Sequence, residues 1–337
     1  MIRFPAEWEP QEFIQLTWPH ESTDWSSNLN EAISCFTKIA EAITRFQKLL
    51  IVCSDSSSCK RYLAHLNQNN IQYIEVESND TWARDHGGIT VFKDGKPTIY
   101  DFQFNGWGNK FPADKDNRIT RSLYHRGVFK NSRYQDMNDF VFEGGAIESN
   151  GNGLLMTTIE CLLSKNRNEQ FSKEQIEQKL LSWFGAEKVL WLDYGFLAGD
   201  DTDSHIDTLA RFIDEKTILY VSPPDENDVH FEALKNMEDQ LRSFSDLENN
   251  PFNLIPLPFA PAVFDENDER LPATYANFLF VNDAVLVPVY NLDTDKAALE
   301  VFTETFPNKE IVGIDCSVLI KQHGSLHCVT MQYPPFK

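Results

Sequence analysis

A helical face followed at once by a short apolar strand recurs along this chain, and that alternation restricts it to an α/β architecture. Ile33, Phe36, Ala40, Ile43 and Phe46 share one helical face, and residues 49–53 read as a strand directly after it. Residues 57–67 read as a second helix, and residues 71–76 alternate like a half-buried strand. Ser172-Lys173-Glu174-Gln175 is a capping box; Ile176, Leu180 and Phe184 continue the helix, Gly185 ends it, and 188–192 is the next strand. Phe231, Leu234 and Leu241 precede a strand at 252–257, and Leu299, Phe302 and Phe306 precede one at 311–314. In the second half the unit returns at intervals of roughly 60 residues, a period that points to internal repetition. Hairpin signals lie between the units, at 92–97, 148–153 and 213–217. The acidic run 265–269 reads as a solvated loop.

A length of 337 residues with 42% hydrophobic content supports a sizeable core. The net charge of −21 makes nucleic acid and anionic lipid poor partners. No stretch approaches 18 uncharged apolar residues, and the N-terminal residues carry no secretory pattern. Six scattered cysteines without a CxxC pair read as reduced thiols. These features together predict a cytoplasmic protein.

No Walker loop, GxGxxG turn, HExxH motif or zinc-type cysteine spacing is present, so no cofactor or metal is expected. Four segments instead place ionisable residues beside small ones at the ends of strand-like runs. They are Trp82-Ala83-Arg84-Asp85-His86-Gly87-Gly88, Phe142-Glu143-Gly144-Gly145-Ala146, Gly199 to Asp207, and His323-Gly324-Ser325-Leu326-His327-Cys328-Val329-Thr330. Such turns are where α/β enzymes put their chemistry. A thiolate is a strong nucleophile, a histidine can move its proton, a carboxylate can orient that histidine, and two carboxylates can clamp a planar cation. His205 and Asp207 stand at i, i+2, and a strand there would point both to one face. Each segment alone also has an ordinary reading: a buried cysteine, a surface aspartate, a hairpin glutamate.

Taken together these residues resemble the agmatine deiminases and the related Porphyromonas-type peptidylarginine deiminases. The resemblance begins at Pro5-Ala6-Glu7-Trp8-Glu9-Pro10 and Thr17-Trp18-Pro19-His20. It continues through the Trp82 segment, Phe104-Asn105-Gly106-Trp107-Gly108, Phe142-Glu143-Gly144-Gly145 and Asp201-Thr202-Asp203-Ser204-His205-Ile206-Asp207, and ends at His327-Cys328-Val329-Thr330. It implies a single domain over 1–337 with the pentein fold, a five-bladed α/β propeller of ββαβ units with pseudo-fivefold symmetry around one site. It implies Cys328 as nucleophile, His205 as general acid/base, Glu143 as the residue that hydrogen-bonds His205, and Asp85 and Asp207 as the guanidinium clamp. Trp82, Trp107 and Trp18 are candidates for an aromatic pocket wall. The clamp concentrates negative charge near the thiol, so Cys328 is expected to ionise poorly without a cationic substrate.

The activity implied is hydrolysis of a C–N bond in a small cationic guanidino compound. The main reading is agmatine to N-carbamoylputrescine and ammonia, a step of putrescine and polyamine metabolism. Deimination of peptidyl or free arginine is the alternative, with Arg84 and Arg211 as candidates for an α-carboxylate. Amidinotransfer, a non-catalytic pentein and a metal hydrolase built on His205 are further readings. A homodimer is possible. The sequence departs from the family's Gly-Gly-Gly-Asn-Ile-His-Cys run at residues 323–326, where a different loop is expected over the substrate tail.

Overall fold

The computed structural model describes residues 1–336. Five mixed sheets of three or four strands account for nearly all the strand structure, with one two-stranded hairpin, Val263–Phe264 with Arg270–Leu271, beside them. Three sheets repeat one plan: an antiparallel pair, a helix, then a strand parallel to the second. They are Glu148–Ser149, Leu154–Thr158 and Lys188–Leu192; Ala210–Asp214, Thr217–Val221 and Asn253–Leu257; and Leu279–Val281, Ala284–Val289 and Glu310–Asp315. A fourth follows it with Ile89–Lys93, Lys96–Gln103 and Arg133–Val141, and Ile2–Arg3 is added at its edge. The fifth joins the two ends of the chain. Thr330–Tyr333 pairs antiparallel with Phe13–Thr17, which runs parallel to Lys48–Cys53, itself parallel to Ile71–Glu75.

Local chemistry explains the elements. The helix Leu29–Thr44 buries Ala32, Ile33, Phe36, Ile39, Ala40 and Ile43 along one stripe and leaves charged residues outside. Lys48–Cys53 lies between two parallel neighbours, and its run Leu49-Leu50-Ile51-Val52 is buried throughout. The capping box at Ser172 is present, and Gly185 ends that helix at φ 64°. Asp94 and Gly95 both take positive φ, as a tight hairpin turn between right-twisted strands requires.

The second helix is shorter than its sequence suggests. It spans Ser56–Tyr62, starts at the Asp55 cap, and stops because the Gln68 side chain donates to the Leu63 carbonyl at 2.6 Å. A short 3-10 turn, Gln68–Asn70, follows. Among the described residues, no helix is long and apolar enough to cross a membrane.

Candidate active site

Each of the five sheets is entered through a short segment that precedes its first hairpin strand. Those segments carry Asp85 on the helix Ala83–His86, Glu143 and Gly145 at the turn Gly144–Ala146, and His205 and Asp207 at the turn Ile206–Thr208. The fourth and fifth carry Asn277, ahead of Leu279–Val281, and Cys328, ahead of Thr330–Tyr333. Backbone and side-chain bonds tie the segments together. Arg84 N–H donates to the Cys328 carbonyl at 3.1 Å, His327 N–H to Asn277 Oδ1 at 2.8 Å, and Gly145 N–H to Asp85 Oδ1 at 3.0 Å.

Residues 205–207 form a 3-10 turn rather than a strand, so the shared face of His205 and Asp207 does not come from β alternation. Both are nonetheless fully buried beside Asp85. A Cβ on Gly145 would lie 2.5 Å from His205 Nδ1, 3.0 Å from Asp85 Oδ1 and 3.2 Å from Asp207 Oδ2. A single hydrogen-sized face of Gly145 therefore borders all three groups.

The Cys328 thiol is buried and donates to Asn277 Oδ1 at 3.4 Å. Burial, then the charges of Asp207 and Asp85, push it well above the ordinary thiol range. That is the ionisation expected of a buried thiol near two carboxylates. Burial holds His205 down to about 3 against the pull of Asp207, so its imidazole is neutral. Among the described residues neither ring nitrogen has a hydrogen-bond partner; Nδ1 lies 3.7 Å from Asp85 Oδ1. Asp85 accepts from Trp107 Nε1–H at 2.9 Å as well as from Gly145, yet burial and the charges of Asp207 and Glu143 raise it well above the carboxylate range.

The structure does not pair Glu143 with His205. Arg167 Nε–H donates to both Glu143 oxygens, at 2.9 and 3.0 Å, while its other nitrogens reach Asp203 and the Thr202 carbonyl. A guanidinium is the stronger partner for a desolvated carboxylate, and it takes the place expected of the imidazole. Burial pushes Glu143 up despite Arg167. Ligand atoms of Glu143, Cys161 and His205 lie within 4.8 Å of one another, close enough to share a metal ion, but Arg167 already answers the Glu143 charge.

Behind the clamp lies a buried ionic network. His327 Nδ1 is 2.7 Å from Asp207 Oδ2, and His327 Nε2 is 2.6 Å from Glu7 Oε2. Arg211 donates to Glu7 and Glu148 and to the Phe278 carbonyl. Burial pushes Asp207 up, but the hydrogen bond with His327 and the charge of nearby Arg211 counter it, and the carboxylate stays below its usual range. Arg211 is thus committed to ion pairs. Arg84 is buried facing Glu7 and a rear cavity it shares with Glu148 and His327. Neither arginine lines the pocket above Cys328.

That pocket encloses about 410 Å³, counting its open mouth. Cys328 and Asp85 lie within it, Trp82, Trp107 and Phe111 wall it, and Asp24, Asp80, Asp201, Gln322 and His323 are also among its lining residues. Trp82 and Trp107 meet edge to face at 6.1 Å. Trp18 is not part of this wall; it is core, packed against Phe36 at 6.0 Å. The loop 323–326 is held by contacts with the rest of the chain. His323 adopts φ 64° and bonds the Gly199 carbonyl through Nδ1 at 2.7 Å, Gly324 packs so closely that a Cβ would run into the Trp82 indole, and Ser325 meets the Tyr290 hydroxyl at 2.8 Å.

Sequence reasoning did not find Asn277, Arg167, Glu7 or the role of His327. Asn277 had one usable signal: it stands at its sheet's entry, as Asp85, Gly145 and Asp207 do at theirs, at spacings of about 60 residues.

The chain resembles known proteins along its whole length. A structure from Porphyromonas gingivalis described as a candidate arginine deiminase is 50% identical, with a TM-score of 0.94 over 99% of this chain and 98% of that one. A Cys-to-Ser variant of the C. jejuni agmatine deiminase with substrate bound is 37% identical, with a TM-score of 0.92 over 100% and 97%. The agmatine deiminase of Pseudomonas aeruginosa is 30% identical over 99% of this chain and 95% of its own length. Residues 3–334 match the family described as Porphyromonas-type peptidyl-arginine deiminase, and the chain belongs to that family.

Proposed function

We propose that the protein is a single-domain pentein in which five ββαβ blades surround one catalytic centre, and that it hydrolyses agmatine to N-carbamoylputrescine and ammonia. The observation that carries the reading is the convergence of the Cys328 thiol, the unpartnered His205 imidazole, and the Asp85 and Asp207 carboxylates from separate sheets into one buried place. A planar cation between the carboxylates offsets their charge and lowers the cost of the thiolate. The thiol proton passes to neutral His205 as sulfur attacks the guanidinium carbon. His205 returns that proton to the departing nitrogen, and ammonia leaves a covalent thiouronium. His205 then takes a proton from water, hydroxide attacks the same carbon, and collapse releases the ureido product and restores the thiol. The proton left over departs with ammonia as ammonium. Glu143 acts here through Arg167 and the surrounding packing rather than by a bond to His205.

The pocket lining favours agmatine over free arginine. Among the described residues no Lys or Arg lines it, so an α-carboxylate there would meet Asp24, Asp80 and Asp201 with no compensating cation from them. The relatives named as agmatine deiminases support the same substrate. The test is incubation with agmatine, arginine, methylated arginine and an arginine peptide, with ammonia and ureido product measured. Turnover of agmatine that Cys328→Ala abolishes is expected; no turnover of any of the four sinks the reading.

A further inference from the structure

We propose that Asp80 is a specificity-determining residue whose carboxylate receives a positive charge at the far end of the substrate, so that the pocket selects guanidines carrying a second cation. This rests on the reading of the Cys328 pocket as a guanidine site. Asp80 lines that pocket together with Cys328 and Asp85, and the Trp82 and Trp107 side chains line the same space. Its position is fixed from two directions: Trp82 Nε1–H donates to Oδ2 at 3.0 Å, and Thr81 N–H donates to Oδ1 at 2.9 Å. Trp82 therefore serves both as wall and as anchor of the carboxylate.

Among the described residues no ion pair reaches Asp80. The charges acting on it most strongly are Asp24 and Asp116, both of its own sign; burial, then Asp24, push its carboxyl up to about 7. A desolvated carboxylate facing only like charges is an unfavourable arrangement, and a cation entering the pocket relieves it. Asp24 and Asp201 also line the pocket, but Asp24 is exposed, so solvent screens it and its pull is weaker, and the Asp201 carboxylate already has His323 Nε2 at 3.8 Å. An aromatic slot with carboxylates at the thiol end and at Asp80 suits a linear molecule with a guanidinium at one end and an ammonium at the other.

The experiment compares three guanidines that share a four-carbon chain and end in an ammonium, a methyl or a carboxylate: agmatine, butylguanidine and 4-guanidinobutanoate. The unaltered protein is expected to rank them in that order by kcat/KM, with steps of about 10-fold, the scale of one partly desolvated charge contact. Asp80→Asn keeps an acceptor oxygen for Trp82 and Thr81 but removes the charge. It is expected to raise KM for agmatine about 10-fold, to leave kcat nearly unchanged, and to leave butylguanidine unaffected. Asp24→Asn, on an exposed side chain, is expected to shift agmatine in the same direction by less. An agmatine-to-butylguanidine ratio unchanged by Asp80→Asn overturns the proposal. So does equal use of all three substrates by the unaltered protein, a comparison that decides the matter even if the variant does not fold. Failure of the unaltered protein to turn over any guanidine is a separate result, which removes the catalytic reading itself.

Discussion

His327 holds one oxygen of Asp207 and leaves the other bare: its Nδ1 lies 2.7 Å from Oδ2, while the buried Oδ1 has no partner among the described residues. The clamp role proposed for Asp207 needs this arrangement, because a carboxylate satisfied at both oxygens has nothing to offer a substrate, and one satisfied at neither would swing. His327→Ala removes the pin and leaves Asp207 and Glu7 as like charges in the same interior. KM for agmatine is expected to rise by more than about 10-fold, and stability to fall by about 3–5 kcal/mol, as when a buried ion network loses one member. His327→Gln, which can donate to one carboxylate at a time, is expected to fall between. Steady-state kinetics with denaturant unfolding checks both; an alanine variant with unchanged KM refutes the pinning role.

The Cys328 thiol is held protonated by burial and by Asp207 and Asp85. Its alkylation by iodoacetamide, followed on the Cys328 peptide by mass spectrometry, is expected to be slow at pH 7 and to climb with no plateau below about pH 9, beyond the range of an ordinary thiol. Guanidinium chloride at low millimolar concentration is expected to accelerate it, because the cation neutralises the clamp. A plateau below pH 7.5 without any cation would show a preformed thiolate and remove the substrate-assisted step.

Asp116 supplies a pH test that a single substitution isolates. Its buried carboxyl accepts the backbone N–H groups of Asn79 and Asp80 and is raised by burial to about 7. An acid whose folded pKa lies above its unfolded value near 3.9 binds its proton more tightly when folded, so it lowers stability as pH rises from about 4 to 7. Asp116→Asn imitates the protonated form and keeps an acceptor. The difference in melting temperature between variant and parent is therefore expected to move in the variant's favour from pH 4 to 7 and to level off above. A difference that is flat with pH contradicts the raised carboxyl.

Much of this molecule is legible in its sequence, and what is not has a physical reason. The helix-then-strand units announce themselves because amphipathic faces and buried strands have local periods. The residues at Asp85, His205, Asp207 and Cys328 stand out because charged and small residues interrupt apolar runs. The pairing of Thr330–Tyr333 with Phe13–Thr17 is invisible to periodicity, since its partners sit at opposite ends of the chain. Arg167 takes Glu143 away from His205 through an ion pair that only the folded chain creates. Asn277 is a lone polar residue between Ala276 and Phe278, without a motif of its own, and only its place in the repeat marks it.

Gly145 offers the sharpest separation of chemistry from folding. Its backbone is not in the left-handed region, so alanine is conformationally acceptable there. The added methyl would stand 2.5 Å from His205 Nδ1 and 3.0 Å from Asp85 Oδ1, inside contact distance, while the Gly145 N–H that holds Asp85 remains. Something must shift, and the groups in the way are those proposed to grip the substrate and move its proton. Displacement of such groups by a few tenths of an ångström to an ångström costs about 10²-fold in rate. Gly145→Ala is therefore expected to lower kcat by about 100-fold. Its melting temperature should change far less than that of a variant that breaks the Glu143–Arg167 pair, since no ion pair or core side chain is lost. Circular dichroism melts beside steady-state assays separate the two effects. Near-normal kcat in a folded Gly145→Ala protein would mean that His205 and Asp85 tolerate displacement, and that the reacting atoms lie elsewhere in the pocket.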